Sequence, residues 1–489
     1  MRLVLRPLAF AVLAAVSLRC NPDMRPNIVV IMADDLDVGL LQTALDAGLM
    51  PATRQRFVDE GIVFANCFAT NCVCAPSRAT FLTGQYSRNH GVLHNTIGIT
   101  GLEHATTLPN WLQDAGYTTC HIGKYLNGYG YQVPGTWVPP GWSDWQALID
   151  PTTYRVYNYW INDNGTPVHY GTAEADYQTD VLAQRAATFI AGADGPFFLN
   201  VTPLAPHVEI DNESTVSWEG AFSWTLRPAP RHIGSTDAFP LPMGPSYNEA
   251  DVTDKPQWLQ AKPSISLSME AGLTQQYRDR LASLRAVDDL VASIVAALQA
   301  RGLLERTVLV FTGDNGFVHG QHRLVEKTFA YDESIRIPLM VRVPGATPGA
   351  VNRMILNNDL APTIADLAEA TPTVAVDGRS ITSLFASTVP PSWRQRGMIE
   401  HYMSTLTVGQ LEVPTYAAVR TAPDATSLPE RLYVEYRRGE WGAREHYTML
   451  QDAPQLESRH ALPAYAGERA VLAWWLWRLE NQPASQAEN

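Results

Sequence analysis

Residues 74 to 84 read Cys-Ala-Pro-Ser-Arg-Ala-Thr-Phe-Leu-Thr-Gly. Pro76 suits the first turn of a helix, where its missing N–H costs nothing, and Gly84 is placed to end that helix. Cys74 therefore sits at the positive end of a helix, where an anion is favoured, and Arg78 adds a fixed charge one turn along on the same face. Asp34-Asp35 and Asp314-Asn315 offer carboxylate and amide oxygens. Such hard donors suit calcium or magnesium, whereas zinc would favour His and Cys. Taken singly, a cysteine reads as a small buried residue or half of a disulfide, and an Asp after a strand as a turn former or cap. Chemistry emerges only from the combination.

Two apolar runs must position these groups. Ile28 to Met32 is a continuous branched stretch ending in Ala33-Asp34-Asp35, and Val308 to Phe311 ends in Thr312-Gly313-Asp314-Asn315-Gly316. Both read as strands buried on two faces, with their acidic ends at the carboxyl edge where open α/β sheets place their sites. Thr118–Ile122 and Phe197–Val201 are further strand candidates; Lys124 lies just beyond the first and His207 closes Thr202 to His207 after the second. Leu290, Val291, Ile294, Val295 and Leu298 follow helical spacing, with Gly302 as the stop. Alternating strands and helices predict an α/β layer architecture. Val208 to Lys262 is rich in Pro and Trp with little periodicity; its Trp218, Trp224 and Trp258 fit either a wall of the substrate pocket or core anchors. After Pro391 come short strands at Thr415–Val419 and Arg431–Tyr436 and a terminal helix, Glu468 to Glu480, whose Trp474, Trp475 and Trp477 are expected to form a packed face.

The chain has 489 residues, 46% hydrophobic, with a net charge of −13. That length exceeds one usual domain and predicts a large and a small unit. The acidic balance excludes a nucleic-acid binder, which needs a basic face. Arg2 and Arg6 precede an apolar stretch, Leu8 to Leu18, too short to span a bilayer and suited to a signal peptide, here residues 1–22; export to the periplasm or outside follows, with no transmembrane segment in the mature chain. Cys20 as a lipid anchor is disfavoured because Arg19 stands where a small residue is expected. Setting Cys74 aside leaves Cys67, Cys72 and Cys120, hence one disulfide or none.

The Cys-x-Pro-Ser-Arg-x-x-x-Leu-Thr-Gly run resembles the signature of type I sulfatases, in which the cysteine is oxidised to Cα-formylglycine. The Asp-Asp pair, the modified cysteine and Asp-Asn-Gly, in this order, are similar to that family's metal site, so the resemblance implies Asp34, Asp35, Cys74, Asp314 and Asn315 around calcium, with magnesium as the alternative. Gly123-Lys124-Tyr125-Leu126-Asn127 resembles a sulfate-binding lysine segment, particularly that of the glucosamine-6-sulfatase and heparan endosulfatase branch, as do Asn248 to Pro256 and Glu445 to Leu456. Pro206-His207 is similar to the leaving-group histidine, and Lys327 to the second sulfate-binding lysine. Many relatives carry a histidine where this chain has Leu126, which leaves the base for the final elimination open between the auxiliary candidates His319 and His322; Asn127 is a further auxiliary candidate beside Lys124.

The resemblance implies an alkaline-phosphatase-like α/β fold: a large, mostly parallel central sheet flanked by helices over 26–395, then a smaller α+β subdomain over 396–489. It implies removal of sulfate from a sulfated carbohydrate, with 6-O-sulfated glucosamine of a glycosaminoglycan foremost, and a formylglycine-generating enzyme as a partner in maturation. Arylsulfatase action, phosphate or phosphonate ester hydrolysis on the same scaffold, and a secreted glycan binder that has lost catalysis are the competing readings.

Overall fold

The computed structural model describes residues 25–210, 226–386, 392–404, 413–437 and 439–488. The signal-peptide segment, Cys20, Trp218 and Trp224 lie outside the described residues.

In chain order the first elements are β1 (Asn27–Ala33), α1 (Val38–Asp46), β2 (Ile62–Phe68), α2 (Cys74–Thr83), α3 (Leu108–Asp114) and β3 (Thr118–Gly123). They are followed by β4 (Asp144–Leu148), β5 (Tyr159–Asp163), β6 (Thr166–Tyr170), α4 (Gln178–Gly192), β7 (Phe197–Thr202) and α5 (Leu267–Ala300). The large sheet is completed by β8 (Thr307–Gly313), β9 (Arg336–Arg342) and β10 (Gly349–Leu356), after which comes α6 (Leu360–Leu367). Its ten strands run in the order β10-β2-β9-β8-β1-β7-β3-β4-β5-β6. Only β9 and β5 run against the rest. The architecture is the α/β one that the alternation of elements predicted, with the mostly parallel sheet that the family resemblance implied.

Strand β1 explains why its sequence is apolar without alternation. Ile28, Val30 and Met32 join a core with residues of α2, α3 and α6, whereas Val29, Ile31 and Ala33 join a second core with α1, α4 and α5. All seven residues are buried, as in a strand covered by helices on both faces. Its neighbour β8 pairs in parallel from Asn27 with Thr307 to Ala33 with Gly313, so Asp34 and Asp314 leave the sheet side by side. The helix predicted around Leu290 is the end of the much longer α5, and Gly302 follows it with a left-handed φ of +64°.

A second, antiparallel sheet contains β11 (Arg396–His401), β12 (Tyr416–Thr421), β13 (Arg431–Tyr436) and β14 (Arg444–Thr448) in that order, with α7 (Ala466–Asn481) after it. Its Met398, Tyr416, Leu432 and Tyr447 belong to the same core as Ile28 and Val30, so the small sheet shares the interior of the large one. The packed tryptophan face holds for Trp475 alone. Trp475 is buried with Leu472, Leu476 and Leu479, while Trp474 and Trp477 are exposed, because they fall on the opposite side of the helical turn.

Candidate active site

The parallel direction of β1, β2, β3, β7 and β8 brings their carboxyl ends to one edge, and each delivers a polar group there. Helix α2 begins at Cys74 and ends at Gly84, whose φ of +69° only glycine adopts freely. All ten of its residues are buried. The predicted helix, its start and its stop agree with the structure.

Lys124 follows β3 directly. Gly123 holds a φ of +114°, and a Cβ there would come within 2.3 Å of the Thr202 carbonyl on β7. The absence of a side chain lets the two strand ends close, and Lys124 N–H donates to that carbonyl at 2.9 Å. The Lys124 ammonium donates to Asp34 Oδ2 at 2.5 Å, and the Lys124 carbonyl accepts from Arg78 at 2.7 Å. Arg78 Nε donates to Asp314 Oδ2 at 2.9 Å and its NH2 lies 3.6 Å from Asp34 Oδ2. Asp314 Oδ1 accepts the backbone N–H groups of Asp35 and Asn315 at 3.0 and 2.8 Å.

On the other side, Lys327 donates to Asp35 Oδ1 and to Cys74 Sγ, the latter at 3.1 Å. Cys74 Sγ lies 3.6 Å from Asp34 Oδ1. Asn315 Nδ2 donates to Asp35 Oδ1 at 2.8 Å. His207 Nδ1 donates to the Val208 carbonyl at 2.6 Å, which points Nε2 at Asp35 Oδ2, 3.5 Å away. Asp35 itself has a left-handed φ of +58°, a backbone state that polar side chains with local hydrogen bonds tolerate best.

Three buried carboxylates thus face three cations. Burial works against the Asp34 carboxylate, yet Lys124, His207, Arg78 and Lys327 hold it well below the usual range; Asp35 is held down against burial chiefly by Lys327 and His207. Burial raises Asp314 to about 6, with the neighbouring Asp34 charge adding to it. Burial also lifts the Cys74 thiol to about 11 against the pull of both lysines, so the thiol is protonated near neutral pH. Burial lowers His207 to about 4 against the pull of Asp35 and Asp34.

Ligand atoms of Asp34, Asp35, Cys74 and His207 all lie within 4.8 Å of one another. Asn315 Oδ1 is buried with no hydrogen-bond partner, an orphaned acceptor of the kind that a cation satisfies. Carboxylates and an amide oxygen around this point fit a hard divalent ion.

The auxiliary candidates divide. Asn127 reaches the site indirectly: its amide donates to the Tyr154 hydroxyl at 2.6 Å, and the Tyr154 ring lies over the Lys124 ammonium (4.7 Å) and beside His207 (5.2 Å). His319 Nε2 is 3.0 Å from Asp37 Oδ2 and packs on Tyr277. His322 Nδ1 is 2.6 Å from Glu249 Oε2 and stacks on Tyr331 at 4.1 Å. These two histidines face acids outside the central cluster, and Leu126 is a core residue. Sequence reasoning missed Tyr154, Glu249 and Arg280, which donates to the Asp35 carbonyl at 2.5 Å.

Lys327 is carried by a segment with left-handed φ at His322, Arg323, Glu326 and Thr328. Strained backbone of this kind persists where its surroundings fix it. Here the described part of the Pro- and Trp-rich stretch does so: His322 N–H donates to Ser246, Asn248 N–H to Gly320, and Arg323 to the carbonyls of Glu249 and Ala250. Trp258 stacks on Phe329 at 6.1 Å and is half-buried, which makes it a packing anchor beneath this segment. Cys67, Cys72, Cys74 and Cys120 are all unpaired, so no disulfide forms among them.

The family described as Sulfatase matches residues 26–370, and an N-sulphoglucosamine sulphohydrolase C-terminal family matches residues 320–422. The chain belongs to the sulfatase family. It is 36% identical to an arylsulfatase of Volvox carteri over 74% of this chain and 58% of that protein. It is 33% identical to a goat (Capra hircus) N-acetylglucosamine-6-sulfatase over 77% and 66%. The chain thus spans less than two thirds of the length of these two relatives. A Bacteroides thetaiotaomicron N-acetylglucosamine-6-O-sulfatase is 27% identical over 96% of this chain and 90% of its own. Among solved structures, a protein in complex with its substrate D-glucosamine-2-N,6-O-disulfate superposes with a TM-score of 0.76 at 23% identity, covering 94% of this chain and all of that one. The phosphonate monoester hydrolase of Agrobacterium radiobacter superposes at 0.68 and 20%, covering 95% and 96%. Both likenesses extend over nearly the whole chain and show the shared fold.

Proposed function

We propose that this sulfatase-family chain hydrolyses sulfate monoesters of a carbohydrate, with 6-O-sulfated glucosamine of a glycosaminoglycan or its fragments as the substrate class. In this reading Cys74 is oxidised to Cα-formylglycine by a formylglycine-generating enzyme, and Asp34, Asp35, Asp314, Asn315 and residue 74 hold calcium in preference to magnesium. The observation that carries it is the convergence of Arg78, Lys124 and Lys327 on three buried carboxylates and Cys74 at a helix start. The reading also places the chain outside the cytoplasm; no helix among the described residues is long and apolar enough to cross a membrane.

Charge decides what the pocket prefers. The three cations balance the three carboxylates, so a bound divalent ion leaves an excess of two positive charges for an anionic ester. When bound, that ion supplies a Lewis acid at an ester oxygen, and the hydrated aldehyde at residue 74 supplies a hydroxyl nucleophile together with a second hydroxyl that lets sulfate be expelled. Lys124 and Lys327 rest on different carboxylates, Asp34 and Asp35, each able to turn from its carboxylate to a sulfate oxygen and to strengthen that contact as charge moves outward in the transition state. Arg78 stays fixed between Asp34 and Asp314 and keeps both oriented. With its Nδ1 proton on the Val208 carbonyl, His207 turns Nε2 towards the cluster, and a proton taken up at Nε2 as the anionic ester binds passes to the departing sugar oxygen.

A paired assay with the sulfate and phosphate esters of one alcohol tests the reading. Hydrolysis of the sulfate ester with the greater kcat/KM supports it, and the reverse preference moves the chain to phosphoryl or phosphonyl chemistry. Comparing 6-O-sulfated glucosamine with an aryl sulfate then tests the substrate class: a better aryl substrate overturns the sugar assignment.

A further inference from the structure

We propose that Tyr154 is a positioning residue for this reaction, setting Lys124 and His207 together on the leaving-group side through its ring; the inference rests on the sulfate-ester reading above. Lys124 sits at the end of β3 and His207 after the end of β7, and their side chains face different carboxylates, Asp34 and Asp35. Tyr154 touches both side chains. Its ring centre is 4.7 Å from the Lys124 ammonium and 5.2 Å from the centre of the His207 imidazole.

The ring is itself held at its far end. Asn127, three residues after Lys124, donates to the Tyr154 hydroxyl at 2.6 Å, so the segment that supplies the lysine also fixes the tyrosine. The ammonium over an aromatic face is an attraction that strengthens where water is excluded, and Lys124 is almost fully buried. It competes with the short bond from Lys124 to Asp34 and gives the ammonium a second resting contact when it turns towards a sulfate oxygen. For His207 the ring is a wall. With Nδ1 tied to the Val208 carbonyl, the tilt of the imidazole about that bond is the remaining freedom, and the Tyr154 ring at an interplanar angle of 49° limits it. The burial of the tyrosine keeps its phenol protonated, its pKa raised well above the ordinary value by desolvation and by the nearby Asp150. Tyr154 is therefore a neutral brace, and its ring matters more than its hydroxyl.

The test compares Tyr154→Phe, Tyr154→Leu and Asn127→Ala in the full chain carrying the aldehyde at residue 74, with the thermal midpoint recorded for each. A positioning ring predicts that Tyr154→Phe and Asn127→Ala keep kcat within about fivefold, whereas Tyr154→Leu loses about 30-fold or more, a part of the roughly 10²- to 10⁴-fold that positioned proton transfer contributes. The loss appears in kcat on a carbohydrate sulfate and is smaller on an activated aryl sulfate whose leaving group needs no proton. A cycle with His207→Ala completes the test: because Tyr154 acts in part through His207, Tyr154→Leu costs less once the imidazole is gone, the remainder being the share that passes through Lys124. Additive losses in that cycle overturn the proposal, as do equal losses on both substrates or Tyr154→Phe falling as far as Tyr154→Leu. A Tyr154→Leu chain that melts early is replaced by Tyr154→Met, read by the same split. Absence of sulfatase activity in the parent chain would instead remove the reading beneath.

Discussion

The two lysines reach the same cluster by different routes. Lys124 is placed by backbone: Gly123 permits the close approach of β3 to β7, and a main-chain bond to Thr202 fixes the next residue. Lys327 is placed from a distance, by a strained segment whose His322 and Arg323 are anchored on residues 246 to 250, far away in sequence. That anchor extends further. Lys255 lies 3.6 Å from Glu249 and donates to the carbonyls of Gln455 and Leu456, while the Tyr331 ring stacked on His322 donates its hydroxyl to Glu445 at 2.8 Å. One arm of the site is therefore as rigid as the sheet, and the other depends on polar contacts that tie the small sheet to the large one.

The largest effect shared by both arms is at their meeting point. Cys74→Ala and Cys74→Ser are expected to abolish multiple turnover, by roughly 10⁴-fold or more in steady-state rate, with Cys74→Ser still able to accumulate a trapped sulfate ester. Unchanged steady-state rates in either would remove the aldehyde from the account. Next come the arms themselves: Lys124→Ala and Lys327→Ala should each cost about 100- to 1000-fold in kcat, the scale of losing one preorganised donor.

Smaller changes sharpen the contrast. Glu249→Gln and His322→Ala should lower activity by about tenfold, on the order of 1.4 kcal/mol, through the Lys327 arm alone. Placed in a Lys327→Ala background they should cost little more, whereas in a Lys124→Ala background they should cost their full amount. Equal behaviour in both backgrounds would dissolve the distinction between the arms.

Acid should attack the sheet-built arm. His121 on β3 is buried among Tyr125, Trp142 and Trp145, and burial lowers it to about 3, with Arg78 adding to the shift. It is neutral in the folded chain, whereas unfolded histidine takes a proton near pH 6.5. Stability contributed by the neutral form is complete above that pH and falls as pH drops from 6.5 towards 3, by at most about 1.4 kcal/mol per pH unit for this residue. Chemical unfolding at stepped pH should show the decline, and His121→Gln should flatten part of it; a curve unchanged by the substitution would acquit His121. The smallest effect concerns the thiols. With Cys67, Cys72 and Cys120 unpaired, a reducing agent should leave the melting temperature where it is.

The same contrast explains what the sequence disclosed. Strands β1 and β8, helix α2 and the residues at their ends were legible because a strand buried on two faces and a helix bounded by proline and glycine leave marks within ten residues. The arrival of Lys124 and His207 at one edge followed from strands ending just before them. The support of Lys327 left weaker marks: His322 and Glu249 are 73 residues apart, and neither shows its partner by spacing. Yet the stretches Asn248 to Pro256 and Glu445 to Leu456, noted only for their likeness to relatives, contain Glu249, Lys255, Glu445 and Gln455, which build that support. Tyr154 had no local signal at all, since its function lies in the two side chains that touch its ring. Trp474 and Trp477 misled because tryptophan type was read without the helical phase that turns them outward.

The account stands on the chemical state of residue 74. Mass spectrometry of the proteolytic peptide spanning that position, from chain matured alongside a formylglycine-generating enzyme, measures it directly. The predicted product is an aldehyde, lighter than the thiol by replacement of sulfur with oxygen and loss of two hydrogens, and reactive towards a hydrazide. An intact thiol in chain that nevertheless turns over sulfate esters would contradict it.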